Sequence, residues 1–393
     1  MKIHSCLIIL LFIITLYGKT APAPIPVPDL KPFIIPFTLP VHNAFTLPMP
    51  NSVGIEILIS GFEYQFATLS FVDQNYIGVD SVPLDELKGA TKAVLGSQDG
   101  TDLVLLQTGQ IAVLDRTKNR VSVEYTTSLP RSDLQTEYFQ GKITSAERLL
   151  VIAEMQPSVG EEGIVDATLH SLVYDDVRVR KTLSKIVLEH PLNEQPPVFF
   201  SNNVIIYRNE RKDISEPWKA LDNTLSPVSH PLCALLDREF KQFFILGLLM
   251  SDRYKHAVVY TIDINTRMPA IMYVSWQTGK VSTVNVPAGM FLGQKNLMMS
   301  PSGKWAFYTA TIDNEGKRTL NHTLLYLDPV LADGFLPPRI IAAGKNEDRV
   351  AWMSEPEGLV IFSQGQASLW DLSKFEIKTP KPKSKPKPKH KKR

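Results

Sequence analysis

The chain has 393 residues, 44% hydrophobic and 21% charged, enough for two ordinary domains or one large all-β domain. Only Cys6 and Cys233 occur, and Cys6 lies in an apolar leader, which excludes an internal disulfide in the mature chain and a small disulfide-stapled scaffold. The formal net charge of +2 conceals a strong separation of charge between the body and the C-terminal end.

Residues 1–20 read as a secretory signal: Lys2 provides the positive start, Leu7 to Leu16 an apolar core broken only by Thr15, and Gly18 to Ala23 small residues near a cleavage point. The run is shorter than the roughly 20 residues that span a bilayer, so export to the periplasm, the exterior or the cell surface is expected. Residues 21–50 hold nine prolines, a spacing that predicts an extended polyproline-type arm without helix or ladder-bonded strand. Phe33, Ile34, Ile35, Phe37, Leu39, Phe45, Leu47 and Met49 make it too apolar for a solvated spacer, and part of it is expected to lie against the body.

From 51 to 377 the chain alternates short β-branched and aromatic runs with Gly, Asn, Asp and Pro turns. Examples are Val53 to Ile59, Tyr64 to Val72, Gln110 to Leu114, His256 to Ile262, Trp305 to Thr311 and Ala367 to Leu372. An all-β body follows, with helix expected only at Pro83 to Lys88 and Glu239 to Leu249, the latter also readable as a strand pair. Strands close on an aspartate at Asp73, Asp115, Asp175, Asp222, Asp263, Asp328 and Asp371. A carboxylate there can accept the turn's own N–H groups, so the residue needs no catalytic explanation. The intervals of 42, 60, 47, 41, 65 and 43 residues fit a β-propeller of seven blades, each of about four antiparallel strands.

Several segments resemble known propeller repeats. Ser300-Pro-Ser-Gly-Lys-Trp-Ala-Phe307 is similar to the S-P-D-G turn of TolB-type and WD40-like bacterial repeats, with Ser302 in place of the usual Asp. Ile111 to Val123 and Tyr273 to Val281 resemble the strand-Asp-turn-strand unit of YVTN-type surface propellers, and Ser368-Leu-Trp-Asp371-Leu resembles a WD strand end. The resemblance covers about four of the seven blades. It implies a fold and leaves activity open, because propellers host enzymes, receptors and scaffolds alike.

Residues 378–393 close the chain as a Lys/Pro-rich tail with no acidic residue, too charged to fold alone. Its nine cations are Lys378, Lys381, Lys383, Lys385, Lys387, Lys389, Lys391, Lys392 and Arg393. Of the 42 basic residues 33 remain before it against all 40 acids, so the rest of the chain carries −7 and the tail +9. The tail cations are the candidate contacts for an anionic polymer or lipid headgroups.

Candidate chemistry elsewhere is sparse. The eight histidines show no H-x-H or H-E-x-x-H spacing, so no local zinc site is expected. Gln98-Asp99-Gly100 and Asp313-Asn-Glu-Gly316 read as hairpin turns rather than calcium loops, and Glu161-Glu162 and Asp175-Asp176 as solvated turns. Cys233 reads as a buried, inert thiol, and Trp276, Trp305, Trp352 and Trp370 as fillers between blades rather than sugar platforms. No G-x-S-x-G elbow, P-loop or dinucleotide fingerprint occurs. Neither catalytic residues nor a nucleotide cofactor or metal is therefore expected. These features favour a non-catalytic binding or scaffold module with a protein partner in the envelope or at the surface. Two alternatives stay open: a propeller hydrolase or lyase acting on a polysaccharide or lactone, and a subunit of a secretion or appendage assembly that docks through residues 21–50.

Overall fold

A computed structural model of the chain describes residues 30–47, 50–60, 63–72, 75–83, 91–98, 101–106, 110–115, 120–126, 138–144, 149–157, 164–174, 179–189, 198–201, 203–208, 217–222, 224–285, 290–292, 297–314, 317–373 and 375. Between 58 and 66, between 72 and 189, at 290–292 and at 313, 314 and 317, the description is of backbone alone. Seven antiparallel sheets form the blades of a β-propeller. At six of the seven junctions the first strand of one blade packs beside the first strand of the next.

Blade 1 is β2 (Val41–Thr46), β3 (Ser52–Ser60), β4 (Glu63–Val72) and β5 (Asn75–Pro83); blade 2 is β6 (Thr91–Gln98), β7 (Thr101–Leu106), β8 (Gln110–Asp115) and β9 (Arg120–Thr126). Blade 3 is β10 (Tyr138–Thr144), β11 (Leu149–Pro157), β12 (Ile164–Tyr174) and β13 (Val179–Glu189); blade 4 is β14 (Val198–Phe200), β15 (Val204–Arg208), β16 (Trp218–Asp222) and the two-residue β17 (Pro227–Val228). A helix, α1 (Pro231–Glu239), leads into blade 5, which is β18 (Phe243–Ser251), β19 (His256–Asp263), β20 (Pro269–Ser275) and β21 (Lys280–Val284). Blade 6 has a divided first strand, β22 (Met290–Leu292) and β23 (Met298–Met299), both paired to β24 (Trp305–Asn314), then β25 (Lys317–Tyr326) and β26 (Arg339–Ala343).

Blade 7 is built from both ends of the described chain. Strands β27 (Arg349–Met353), β28 (Gly358–Ser363) and β29 (Gln366–Asp371) are completed by β1 (Phe33–Pro36), which pairs antiparallel with β29 from Phe33↔Leu369 to Pro36↔Gln366. Next to it, β2 lies beside β27, with a parallel bridge from Leu47 to Met353. This corrects the expectation that residues 21–50 cannot form ladders and that the β-rich body starts at 51. A proline withholds only its own N–H, and here Pro32 precedes β1, Pro36 ends it and Pro40 precedes β2, leaving six consecutive donors in Val41–Thr46.

Side chains alternate between neighbouring seams, as period-2 strands require. From β24, Trp305 and Phe307 enter the seam with blade 7 alongside Trp352 and Trp370. Its intervening residues Ala306, Tyr308 and Ala310 enter the seam with blade 5 beside Val258 and Tyr273. Ile35 and Phe37 join the seam between blades 7 and 1, where Phe37 meets the Phe362 ring edge-on at 5.4 Å. Burial of these faces is the main stabilising term.

The helix also differs from expectation. Of Pro83 to Lys88, Pro83 ends β5 and the rest lies outside the described residues; Glu239 to Leu249 is only the last residue of α1 followed by a strand. The local chemistry explains the shift. His230 caps the helix by accepting the Leu232 N–H at Nδ1, and Pro231 occupies the first helical turn, where its missing N–H costs nothing. Leu232, Leu235 and Leu236 then share a buried face against Phe199 and Trp218.

Candidate functional site

The strand-exit aspartates act as turn acceptors wherever their side chains are described. Asp222 Oδ1 accepts the N–H groups of Thr224 and Ser226, Asp263 Oδ1 those of Asn265 and Thr266, Asp328 Oδ1 that of Val330 and Asp371 Oδ1 that of Ser373. At Asp263 the Thr266 N–H is the largest influence and holds the carboxyl below its usual range. At Asp222 burial pulls upward, but the bonds from Thr224 and Ser226 prevail and lower it. Ser302 takes the same part in the Ser300-Pro-Ser-Gly turn, where its Oγ accepts the Lys304 N–H and Ser300 Oγ accepts the Trp305 N–H. Gly303 has φ +78°, and a Cβ there would collide with the Ser251 side chain.

A cavity of about 770 Å³ opens between blades 5 and 6. Blade 5 contributes Ser282 and Thr283 of β21 and the following Asn285; blade 6 contributes Tyr308, Ala310 and Ile312 of β24 and Thr323 of β25. The remaining wall is the β25–β26 connection, with Asp333, Phe335, Pro337 and Pro338, together with Ile340 of β26. That connection is held in shape by its own backbone: Asp328 N–H donates to Gly334 O, Leu331 N–H to Asp328 O and Gly334 N–H to Leu331 O. Gly334, at φ +83°, lies so close to the Tyr273 ring that a Cβ would overlap it, which fixes where Asp333 and Phe335 stand. Tyr308 is buried and its phenol pushed up by desolvation, with a partly offsetting bond to Thr323. Hydroxyls, one amide, one carboxylate and apolar walls therefore face a ligand-sized space. Such a lining orients a bound group by hydrogen bonds; its single carboxylate has no second acid or base beside it among the lining residues.

The one described constellation with the composition of a catalytic triad lies elsewhere. His322 Nε2–H donates to Asp348 Oδ2 at 2.8 Å, and His322 Nδ1 is 3.1 Å from Thr309 Oγ1. Asp348 Oδ2 also accepts the Lys345 N–H at 2.7 Å. Burial pulls the Asp348 carboxyl upward, but the His322 and Lys345 bonds outweigh it and hold the group below its usual range. All three side chains are buried, and Gly344 packs directly on the imidazole. No reacting group can approach, so the set acts as a latch between blade 6 and the segment that enters β27. Separations of 13 and 26 residues gave sequence inspection no spacing to recognise.

His256 is also buried; its Nε2–H donates to Gly303 O at 2.8 Å, and desolvation pushes its pKa down. Cys233 is a buried thiol pushed up to about 12, mainly by desolvation. Trp305, Trp352 and Trp370 fill the seam of blades 6 and 7, and Trp276 is partly buried against α1's cluster. Gln98 pairs with Thr101 and Asn314 with Lys317, while the residues between them, 99–100 and 315–316, lie outside the described residues. Among the described residues no group of three or more His, Cys, Asp and Glu could hold a metal ion. Glu161, Glu162, Asp175 and Asp176, and the nine tail cations Lys378, Lys381, Lys383, Lys385, Lys387, Lys389, Lys391, Lys392 and Arg393, lie outside the described residues.

No protein-family model matches the chain, and no curated protein matches its sequence. Similar solved structures include an oligogalacturonate lyase from Vibrio parahaemolyticus, at 10% identity and TM-score 0.54, covering 88% of this chain and 98% of that one. The β-propeller domain of Cps50 (Swd1) from Myceliophteria thermophila matches at 9% identity and TM-score 0.46, over 86% of this chain and 99% of the other. A prolyl endopeptidase matches at 11% identity and TM-score 0.44, over 82% of this chain and 45% of the other. At these identities the likeness is one of fold: the chain is a seven-bladed β-propeller.

Proposed function

We propose that the protein is an exported propeller of the TolB-like and YVTN-like kind that works by contact: a binding or scaffold module in the cell envelope or at the cell surface, attached through its cationic tail to an anionic polymer or membrane. The observation that carries this reading is the division of charge, −7 before Lys378 and +9 from it onward. A rigid ring with a hydroxyl-lined cavity supports it, since the described ionisable groups of that cavity do not converge as an acid and a base. Cell fractionation of the full chain and of a chain ending at Ile377 tests the attachment. The full chain is expected in the envelope fraction at low salt and in the soluble fraction at high salt. Equal retention of the shortened chain would remove the tail from the mechanism.

A second reading, a lyase or hydrolase acting on a polysaccharide, is favoured by the chemistry named for the Vibrio parahaemolyticus structure. Incubation of the full chain with oligogalacturonate, followed by the ultraviolet absorbance of an unsaturated product and by an assay of new reducing ends, decides against it if neither a double bond nor a new reducing end forms. Sustained turnover would overturn the non-catalytic reading.

A further inference from the structure

We infer that the cavity between blades 5 and 6 is the docking site for the chain's own Lys/Pro tail, so that the ring holds its tail when no external anion does. Three independent features lead there. The first is where the tail starts. Phe375 packs on blade 6, 4.7 Å from the Trp305 ring and 4.9 Å from the Tyr326 ring. Tyr326 O accepts the Leu336 N–H, and Leu336 lies between the cavity residues Phe335 and Pro337. The 18 residues after Phe375 would span about 55 Å at polyproline rise, far more than the crossing from Tyr326 to the cavity needs.

The second feature is the chemistry of the wall. Segments with prolines at close intervals bind in grooves lined by aromatic and prolyl side chains, because the extended peptide loses little conformational entropy on docking. Here Phe335, Pro337, Pro338 and Ile340 provide such a wall, and Ile340 is 51% exposed. Hydroxyls and the Asn285 amide opposite can bond the carbonyls that a polyproline backbone leaves free. Pro380, Pro382, Pro386 and Pro388 would supply the matching apolar faces.

The third feature is charge. Asp333 is the carboxylate of the cavity, and Asp328 and Glu357 act electrostatically on Tyr326, whose phenol is pushed up to about 12 chiefly by burial and then by these acids. Acids therefore stand near Tyr326, where the tail starts, and at the cavity, where Asp333 lies. Arg253 and Lys304 are turned to the Tyr254 ring, at 5.5 and 6.0 Å, and Arg339 stands in β26 between the lining residues Pro338 and Ile340. Lysines alternating with prolines fit the carboxylates of Asp328, Asp333 and Glu357. The contact requires nothing outside the molecule, and it stands or falls separately from what the tail meets elsewhere.

The test uses the full chain with Cys6→Ser and a fluorophore at Ser384→Cys, the remaining native Cys233 being buried. Anisotropy of the probe is read at low protein concentration, with Asp333→Lys and Ile340→Lys as rim variants on exposed positions and Glu239→Lys, on α1, as a charge control. Docking predicts high anisotropy in the parent chain and in Glu239→Lys, a fall toward the free-probe value in both rim variants, and the same fall when soluble polyphosphate is added to the parent. Equal anisotropy in all four chains would overturn the proposal. So would an equal fall in Glu239→Lys, which would mean diffuse charge attraction, or an anisotropy that rises with protein concentration, which would mean a tail bound to a second copy.

Discussion

His322 and Asp348 show how a residue pattern associated with catalysis can be structural. The pair is enclosed, and removing one partner strands the other without water to replace it. His322→Ala should therefore cost about 3 kcal/mol, measured by chemical denaturation, with no change in cavity or tail behaviour. At His256 burial lowers the proton affinity of the folded state below the ordinary 6.5. As pH falls through that ordinary value the unfolded chain takes up a proton that the folded chain refuses, so stability declines on the acid side. His42 and His230 are lowered in the same direction. His256→Gln, which keeps a donor for Gly303 O, should make the fall in melting temperature between about pH 7 and pH 5 shallower without abolishing it. An unchanged slope would take His256 out of the acid response.

Among the elements, β1 carries a burden out of proportion to its four residues, since it supplies the outer strand of blade 7 from the other end of the chain. Phe37, just beyond it, donates its N–H to Gly365 O and fills the seam with blade 1. Phe37→Ala should lower stability by about 3 kcal/mol, while Ile34→Thr, at a 55% exposed position, should stay within about 0.5 kcal/mol. Comparable losses in the two would mean that β1 does not fasten the ring. Much of this architecture was legible in the chain, because period-2 alternation and turn aspartates are local signals: each of Asp115, Asp222, Asp263, Asp328 and Asp371 falls in its own blade, while Asp73 and Asp175 lie outside the described residues. Asp115, Asp222 and Asp371 close the third strand and Asp328 follows it, whereas Asp263 closes the second strand of blade 5. Signals that were not local escaped. Prolines masked β1 and β2, whose ladders depend on partners more than 300 residues away in one case. The divided first strand of blade 6 reads as isolated Met and Leu residues, and α1 was hidden because its cap is a histidine, outside the usual set of capping residues.

At the scale of the whole molecule, the cavity was illegible for a similar reason: its walls come from residues 282 to 340 on two blades and a connecting loop, and no spacing announces them. The separation of charge was fully legible, because net charge needs no fold. In the function proposed above, the ring contacts partners and the tail passes between the ring and an anionic surface. On that proposal salt governs the outer contact, since screening shortens the reach of the tail's charges to about 8 Å at physiological ionic strength. The most direct test is sedimentation with phosphatidylglycerol-containing vesicles over a range of salt concentrations, using chains that both lack residues 1–20, one with the native tail and one with its nine cations replaced by serine. The native tail should carry the protein down at low salt and release it as salt rises, and the serine tail should leave it in the supernatant throughout. Equal sedimentation of the two chains, or none by the native one, would contradict the account.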